Sequence, residues 1–341
     1  MTTIQRIGFA CKWIDYPEQM EGIKPKDAAK KYNTGTTTIT WLNRQTKAAA
    51  EQKLWDLMKQ NIEATKQLVN KIGDLQHGLR MVRLSSDILP AFTEPSWRYF
   101  WKLPDVQRYA EQSFGEVGSL ARLRDVRLSF HPGQFTVLAS DNPEIVERSI
   151  EEFEYHATMA AWMGFAKRFQ DFKINVHIAG RAGPQGIRSA YNKLSQEARN
   201  CLTIENEEIS YGLDDCLSIG DLVPIVLDIH HHWVREGVYI DPNSDSVKRV
   251  VDSWRGVRPT MHYSISREDC LLGHPCDRLP NLQTLIESGH KKQKLRAHSD
   301  FMWNTAVNDW ALQFLKTHDI MVESKGKNLA SFALAKQAKI I

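Results

Sequence analysis

The sequence predicts an α/β fold, a single-domain (β/α)₈ TIM barrel, and three observations lead to this prediction. Short apolar runs alternate with amphipathic segments along the chain, and parallel strands need crossover connections of that kind. Eight such units in 341 residues fit a closed barrel. The composition, with 42% hydrophobic and 25% charged residues, is that of an ordinary globular protein. We therefore expect one domain over residues 1–341, with an open doubly wound sheet as the alternative.

Charge and cysteine content narrow the class of protein. Lysine and arginine number 44 against 41 aspartates and glutamates, and with a net charge of only +3 any nucleic-acid contact needs a local basic face. No apolar run reaches the roughly 18 residues of a membrane span, and the N-terminus lacks a signal-peptide pattern. The five cysteines have no framework spacing. These features indicate a reduced, cytoplasmic protein with no membrane partner.

The first third of the chain is predicted to contain two strands and two helices. Arg6–Cys11 and Leu79–Leu84 are the strands, because apolar residues run together there. Gly22–Thr46 is rich in lysine, threonine and glycine and is predicted to be an irregular loop. Lys47–Ile72 places its apolar residues on one helical face, and Ser96–Gly115 is predicted to be a helix with four aromatic residues near its start.

Six further strands complete the predicted barrel. They lie at Val126–Phe130, Lys173–Val176, Leu202–Ile204, Val223–Leu227, Arg258–Met261 and Ile320–Val322. Asn142-Pro143 has the form of an N-cap followed by proline at the first helical position, so a helix should begin there. The tail Ser331–Ile341 is expected to be the last helix of the barrel.

A metal-binding residue type follows each of these six strands. The residues are His131, His177, Glu205, Asp228, His262 and Glu323. In a barrel the carboxyl ends of the strands meet on one face, where active sites form, and His231 and His298 should lie close by. Carboxylates packed so closely would repel one another unless cations lay between them. Imidazole and carboxylate without thiolate suit zinc, manganese or iron, and the number of ligands suits two or three ions.

Such a cluster supports more than one chemistry. Several divalent ions can lower the pKa of a water molecule and stabilise the attacking and leaving oxygens of a phosphodiester. They can also polarise a sugar carbonyl for isomerisation. The ligands alone do not choose between these reactions.

Residues beside the predicted cluster favour DNA as the substrate. Gln134 and Phe135 follow His131 closely, where an aromatic ring could stack in a duplex and an amide could bond to base edges. Phe9, at the end of the first strand, offers a second ring. The alternative is that both phenylalanines belong to the core.

Phosphate contacts are also predicted at this face. The loop Gly180–Gly183 combines backbone amides with Arg181, which suits a phosphate group. Basic residues in 290–298 and in Lys24–Lys31 form either a solvated face or a strip for the phosphate backbone.

Taken in order, these motifs resemble the UV damage endonuclease family of DNA repair enzymes. The strongest are Arg83–Asp87 (RLSSD) with Pro90, and Ser129–Phe135 (SFHPGQF). Others are Asn175–His177, Ile204–Asn206, Asp228–His231, Met261–Ser264, Ala297–Asp300 and Glu323–Lys327. With Ile7-Gly8-Phe9 at its start, the resemblance spans nearly the whole chain.

The resemblance implies a TIM barrel similar to that of endonuclease IV. It implies up to three metal ions, usually Mn²⁺. With the number of ligands, we expect two or three divalent ions, with Zn²⁺ or another divalent metal as the alternative. The resemblance implies incision of double-stranded DNA immediately 5′ of cyclobutane dimers and 6-4 photoproducts, and action on abasic sites. No obligate protein partner is implied.

The residue patterns and the resemblance together assign roles to particular residues. The expected metal ligands are Glu94, His131, His177, Glu205, Asp228, His231, His262, His298 and Glu323. The expected catalytic residues are Glu205, Glu323 and His262. The expected DNA contacts are Phe9, Gln134, Phe135, Arg181 and Lys325.

Two departures from the family pattern affect the expected site. Glu94 stands where the family usually has a metal-binding histidine. Thr260 stands where the family often has a lysine that can be carboxylated to help bind metal. The alternatives to a UV-lesion endonuclease are an abasic-site endonuclease of the same fold, a sugar isomerase or epimerase, and a non-catalytic damage-binding protein.

Overall fold

The architecture is an eight-stranded parallel barrel, seen in a computed structural model that describes residues 4–15 and 29–341. The strands are β1 Ile7–Ala10, β2 Met81–Arg83, β3 Arg127–Phe130, β4 Lys173–His177, β5 Leu202–Glu205, β6 Ile225–Val226, β7 Thr260–Tyr263 and β8 Asp319–Val322. Neighbouring strands follow the order β6-β5-β4-β3-β2-β1-β8-β7, and every pair is parallel.

The barrel closes between β6 and β7 at its carboxyl end. Asp228 and His262 form a parallel bridge there, and the backbone N–H of His262 donates to the carbonyl of Leu227 at 3.0 Å. The predicted closed barrel is therefore confirmed. The same bridge brings two expected metal ligands, Asp228 and His262, together where β6 and β7 meet.

Helices alternate with the strands. They are α1 Ile39–Asn43, α2 Lys47–Gly73, α3 Pro104–Leu123, α4 Pro143–Trp162, α5 Gly183–Tyr191, α6 Gln196–Cys201, α7 Leu213–Leu217, α8 Ile229–Glu236, α9 Asp245–Ser253, α10 Leu282–Glu287, α11 Lys292–Leu295, α12 Thr305–Leu312 and α13 Lys327–Gln337. Within the described ranges, no helix has the length and apolar character required to cross a bilayer.

Local capping explains where the longer helices begin. Thr46 caps α2 by accepting a hydrogen bond from the N–H of Ala49 at 3.3 Å. Asn142 caps α4 in the same way, accepting from Glu144 N–H at 2.9 Å, and Pro143 occupies the first turn. Both starts agree with the prediction, because side-chain acceptors satisfy N–H groups that have no partner inside the helix.

Two other segments differ from the prediction. The helix predicted over Ser96–Gly115 begins only at Pro104, because proline presets the first helical turn and lacks the N–H that an earlier turn would need. The aromatic residues before it form turns and the 3₁₀ helix Phe100–Lys102. The loop predicted over Gly22–Thr46 contains the 3₁₀ helix Ala29–Tyr32 and the short α1. Residues 22–28, with Lys24 and Lys26 of the predicted basic segment Lys24–Lys31, lie outside the described residues.

An ion-pair cluster fills the amino-terminal end of the barrel. Asp319, fully buried at the start of β8, accepts from Nη1 of Arg127 at 2.6 Å and from Nε of Arg258 at 2.7 Å. The backbone N–H of Arg6 adds a third hydrogen bond at 3.0 Å. The carboxylate therefore ties β1, β3 and β8 together on the face opposite the expected metal site.

Buried histidines should make folding stability depend on pH. Burial lowers the pKa of His156 to about 4 and that of His318 to about 4. Histidine in the unfolded chain has a pKa near 6.5, so the unfolded state takes up protons first as pH falls. We expect EDTA-treated protein to lose about 2 kcal/mol of unfolding free energy per histidine between about pH 7.5 and about pH 5. Urea denaturation at both pH values measures this loss.

A pair of variants isolates the contribution of His156. His156→Phe keeps a ring against Phe130 and Tyr155 but cannot titrate, so the pH-dependent loss should shrink by about 2 kcal/mol. His77→Phe is the matched control, because 61% of the His77 side chain is exposed. An unchanged pH dependence in His156→Phe would contradict the assignment.

Candidate metal centre and its rim

Glu205 lies at the centre of the ligand cluster. It is the last residue of β5 and is fully buried. Its Oε2 lies 3.3 Å from Nε2 of His131 and 3.7 Å from Nε2 of His177, and its Oε1 lies 2.9 Å from Nδ1 of His262. Nδ1 of His131 contacts the carbonyl of Pro132 at 2.9 Å, so its proton belongs there and Nε2 presents a lone pair to the cluster.

Asp228 supplies a second buried carboxylate. It caps α8, and its Oδ1 accepts from the N–H groups of His230 and His231 at 2.8 and 2.7 Å. Its Oδ2 is buried with no hydrogen-bond partner. Burial, with the negative charges of Glu205 and Glu323, raises the pKa of Asp228 to about 8 against the opposing effect of His231. An unpartnered buried oxygen of this kind suits a cation.

Glu323 supplies the third carboxylate, directly after β8. Arg83 donates a hydrogen bond to its Oε1, and Nδ1 of His262 lies 3.3 Å from the same oxygen. Nδ1 of His298 lies 4.0 Å from Oε2. Although burial opposes it, the charges of Arg83 and His262 hold the pKa of Glu323 well below its usual range.

These side chains fit a group of divalent ions. Among the described residues, three sets of ligand atoms lie mutually within 4.8 Å: His131, Glu205 and His262; Glu205, Asp228 and His231; and Asp228, His262 and Glu323. Because Glu205, Asp228 and His262 each belong to two sets, the sets are contiguous. Carboxylates that bridge adjacent sets are suited to more than one ion.

Two expected residues lie elsewhere. Glu94 belongs to none of the three sets and lines an open groove of about 970 Å³ together with Phe135 and Glu152. Phe9 is fully buried, with its ring 5.9 Å from that of Trp13 in an edge-to-face contact. The expectation that Phe9 contacts DNA is corrected by this burial, because its ring cannot reach a base from the core.

Two further residues contact the site but were not predicted to do so, although one of them, Asn175, belongs to the motif Asn175–His177. Nζ of Lys173 lies 2.9 Å from Nε2 of His262, and the amide of Asn175 donates to Oε2 of Glu205. Burial lowers the pKa of Lys173 to about 7, despite the attraction of Glu205. Position 260 is a threonine and not a lysine, but Lys173 of β4 contacts His262, which follows position 260 by two residues. The alternation of Lys173, Asn175 and His177 on one face of β4 was the available signal.

The expected DNA contacts other than Phe9 lie in loops beyond the carboxyl ends of the strands. Gln134 and Phe135 follow β3 in an exposed turn, and Phe135 is 85% exposed. Arg181 follows β4 and Lys325 follows β8, each next to a surface aspartate at 3.4 and 3.5 Å. An exposed aromatic ring and cationic side chains in the loops that follow the candidate metal ligands suit a polyanionic substrate with stacked bases.

The sequence matches one protein family over nearly its whole length. The family model described as UV-endonuclease UvdE matches residues 6–341. The chain is 26% identical over 319 residues to a UV DNA damage endonuclease of Bacillus cereus (strain B4264), covering 90% of this chain and 89% of that protein. It is 27% identical over 307 residues to one of Bacillus thuringiensis subsp. konkukian (strain 97-27), covering 86% of each.

Two solved structures are similar to this fold. The crystal structure of SacUVDE aligns with a TM-score of 0.70 at 21% identity, covering 98% of each chain. The structure of endonuclease IV from Thermus thermophilus aligns with a TM-score of 0.50 at 13% identity, covering 81% of this chain and 94% of that chain. Both support the TIM-barrel fold. Since the family model covers nearly the whole sequence, the chain belongs to the UV-endonuclease UvdE family.

Proposed function

We propose that the chain is a metal-dependent DNA repair endonuclease that incises duplex DNA immediately 5′ of UV photoproducts and also acts on abasic sites. Family membership supports a nuclease that acts on UV-damaged DNA. The observation that carries the metal dependence is the contiguous cluster of three ligand sets around Glu205, Asp228 and His262. We propose two or three divalent ions, with Mn²⁺ as the natural occupant.

The inner ligands would hold these ions, with His177 and His298 at the edge of the cluster. When bound, divalent ions lower the pKa of a water molecule and stabilise the attacking and leaving oxygens of a phosphodiester. Glu205, Glu323 and His262 are the proposed catalytic residues, because they surround the point where the ligand sets meet.

Outer contacts fix the orientation of these ligands. Lys173 holds Nε2 of His262, which turns Nδ1 toward Glu205 and Glu323. The guanidinium of Arg83 holds Glu323 in the same way. Such second contacts preserve ligand geometry and influence metal affinity.

The rim would engage the damaged strand. The exposed ring of Phe135 and the amide of Gln134 would enter the duplex, filling space left when damaged bases leave the stack. Arg181 and Lys325 would contact backbone phosphates. Phosphate contacts position the DNA, whereas the inserted pair discriminates damaged from intact sites.

Removing the inserted pair should weaken lesion discrimination. We expect Gln134→Ala combined with Phe135→Ala to lower the preference for irradiated over intact duplex by about tenfold or more, since stacking is worth roughly 1–3 kcal/mol per base. Competition binding with both duplexes measures the ratio, and bound metal should stay unchanged. The control is Leu123→Ala, an 81% exposed apolar residue at the opposite end of the barrel. Unchanged preference in the double variant would contradict the proposed insertion.

An end-labelled duplex with a single cyclobutane dimer tests the proposed reaction. With Mn²⁺ we expect one cut immediately 5′ of the dimer, leaving a 3′-hydroxyl that a polymerase can extend. A parallel duplex with one abasic site should also be cut. Cleavage of the abasic duplex alone would instead assign an abasic-site endonuclease, and binding of the dimer without cleavage would assign a damage-binding protein.

A further inference from the structure

Glu208 lies at the outer edge of the cluster and belongs to none of the three ligand sets. It follows Glu205 by three residues, in the loop between β5 and α7, and its side chain is 11% exposed. We propose that Glu208 is an additional metal ligand, paired with Nε2 of His231. This inference rests on the proposed metal dependence and adds an outer position to the cluster.

The orientation of His231 identifies its ligand atom. Nδ1 of His231 lies 3.0 Å from the backbone carbonyl of Asn206. A carbonyl only accepts, so Nδ1 carries a proton, and in the neutral ring that binds a metal the lone pair is on Nε2. Metal-binding histidines commonly donate their second ring N–H to a backbone carbonyl in this way. Nδ1 also lies 3.7 Å from Glu205 and 3.8 Å from Asp228, but its bond to the carbonyl makes Nε2 the better ligand atom.

Nε2 of His231 is directed at Glu208. It lies 3.7 Å from Oε2 of that carboxylate. Two ligand atoms that share one ion at about 2.1 Å are separated by roughly 3–4 Å, so this spacing suits a common ion and exceeds a direct hydrogen bond. An open cavity of about 540 Å³ is lined by Glu208 and Arg296, so solvent reaches the outer side of this carboxylate.

The other carboxylate oxygen of Glu208, Oε1, accepts a hydrogen bond from Arg296. Nη1 of Arg296 donates to Oε1 at 2.9 Å, which leaves Oε2 facing His231. Arg296 precedes His298 by two residues, so a competing explanation is that Glu208 only tethers the loop that carries His298. The two explanations differ in whether the carboxylate or its partner arginine controls metal binding.

Two variants separate ligation from tethering. Glu208→Gln retains an amide oxygen that can accept from Arg296 but loses the anionic ligand. Arg296→Gln removes the tether but leaves the carboxylate intact. The full chain, stripped with EDTA, is titrated with Mn²⁺ while electron paramagnetic resonance counts free ion, and thermal melting checks that each variant is folded. We expect Glu208→Gln to lose one bound ion or to bind it at least about tenfold more weakly, and Arg296→Gln to keep the wild-type number.

Three other outcomes of this experiment would each contradict the proposal for a different reason. Wild-type ion count and affinity in Glu208→Gln would overturn ligation by Glu208 while leaving the proposed function intact. An equal loss in Arg296→Gln would assign Glu208 to tethering and also overturn it. Failure of the wild-type chain to bind Mn²⁺ or Zn²⁺ would overturn both this ligand and the proposed metal dependence.

Discussion

Replacing Glu205 with glutamine should abolish incision of UV-damaged DNA while leaving DNA binding in place. The carboxylate of Glu205 belongs to two of the three ligand sets, so its loss disturbs both. Because bound metal is worth several kcal/mol to such a reaction, we expect the rate of incision to fall by roughly a thousandfold or more. Single-turnover cleavage of a dimer-containing duplex measures the rate, and gel-shift titration with the same duplex measures binding.

A neighbouring glutamate provides the matched control for this variant. Glu207 follows Glu205 by two residues, but its Oε2 accepts from the backbone of Ser210 at 2.9 Å, and it belongs to none of the ligand sets. Glu207→Gln should therefore cleave at nearly the wild-type rate. Substantial turnover in Glu205→Gln would contradict the central position assigned to this carboxylate.

Of the variants described, the one that removes the carboxylate of Asp319 should lower the free energy of unfolding the most. Asp319→Ala leaves the guanidinium groups of Arg127 and Arg258 without their buried partner. Breaking a buried pair in this way costs about 3–5 kcal/mol. Urea unfolding should show this loss as a lower midpoint, with the slope unchanged.

Position in the barrel distinguishes this effect from a catalytic one. Asp319 begins β8 and Glu323 follows its carboxyl end, so the folded Asp319→Ala variant should bind as much Mn²⁺ as the wild type. Asp125→Ala is the control, because its carboxylate pairs with Arg6 but is 49% exposed, and such pairs contribute at most about 1 kcal/mol. A loss below about 1 kcal/mol in Asp319→Ala would show that the arginines find other partners.

The order and type of the strands could be predicted because each strand has a simple local signal. Short apolar runs mark the strands, and the need for crossovers makes them parallel. The start of α3 could not be predicted in the same way. The aromatic residues from Trp97 to Trp101 resemble the first turns of a helix, but tertiary packing holds them in turns until Pro104 begins the helix.

The clustering of the candidate metal ligands was predictable because strand ends converge on one face of a barrel. Lys173 was harder to predict, because its alternation with Asn175 and His177 along β4 does not show that it would contact His262 across the barrel. Phe9 was predicted to contact DNA but is buried. A ring at a strand end can point to the mouth of the barrel or to the core, and the Phe9 ring lies in the core against Trp13. The family resemblance placed Glu94 among the ligands, whereas the structure places it in the groove beside Phe135.

Nicking of supercoiled plasmid tests the central claim most directly. Untreated, UV-irradiated and depurinated plasmids are each incubated with the full chain in Mn²⁺ and in EDTA. A metal-dependent UV endonuclease should convert the irradiated plasmid to the open circle in Mn²⁺, leave the untreated plasmid supercoiled, and do nothing in EDTA. Equal nicking in EDTA, or no nicking of irradiated plasmid with Mn²⁺, Zn²⁺ or another divalent metal, would contradict it.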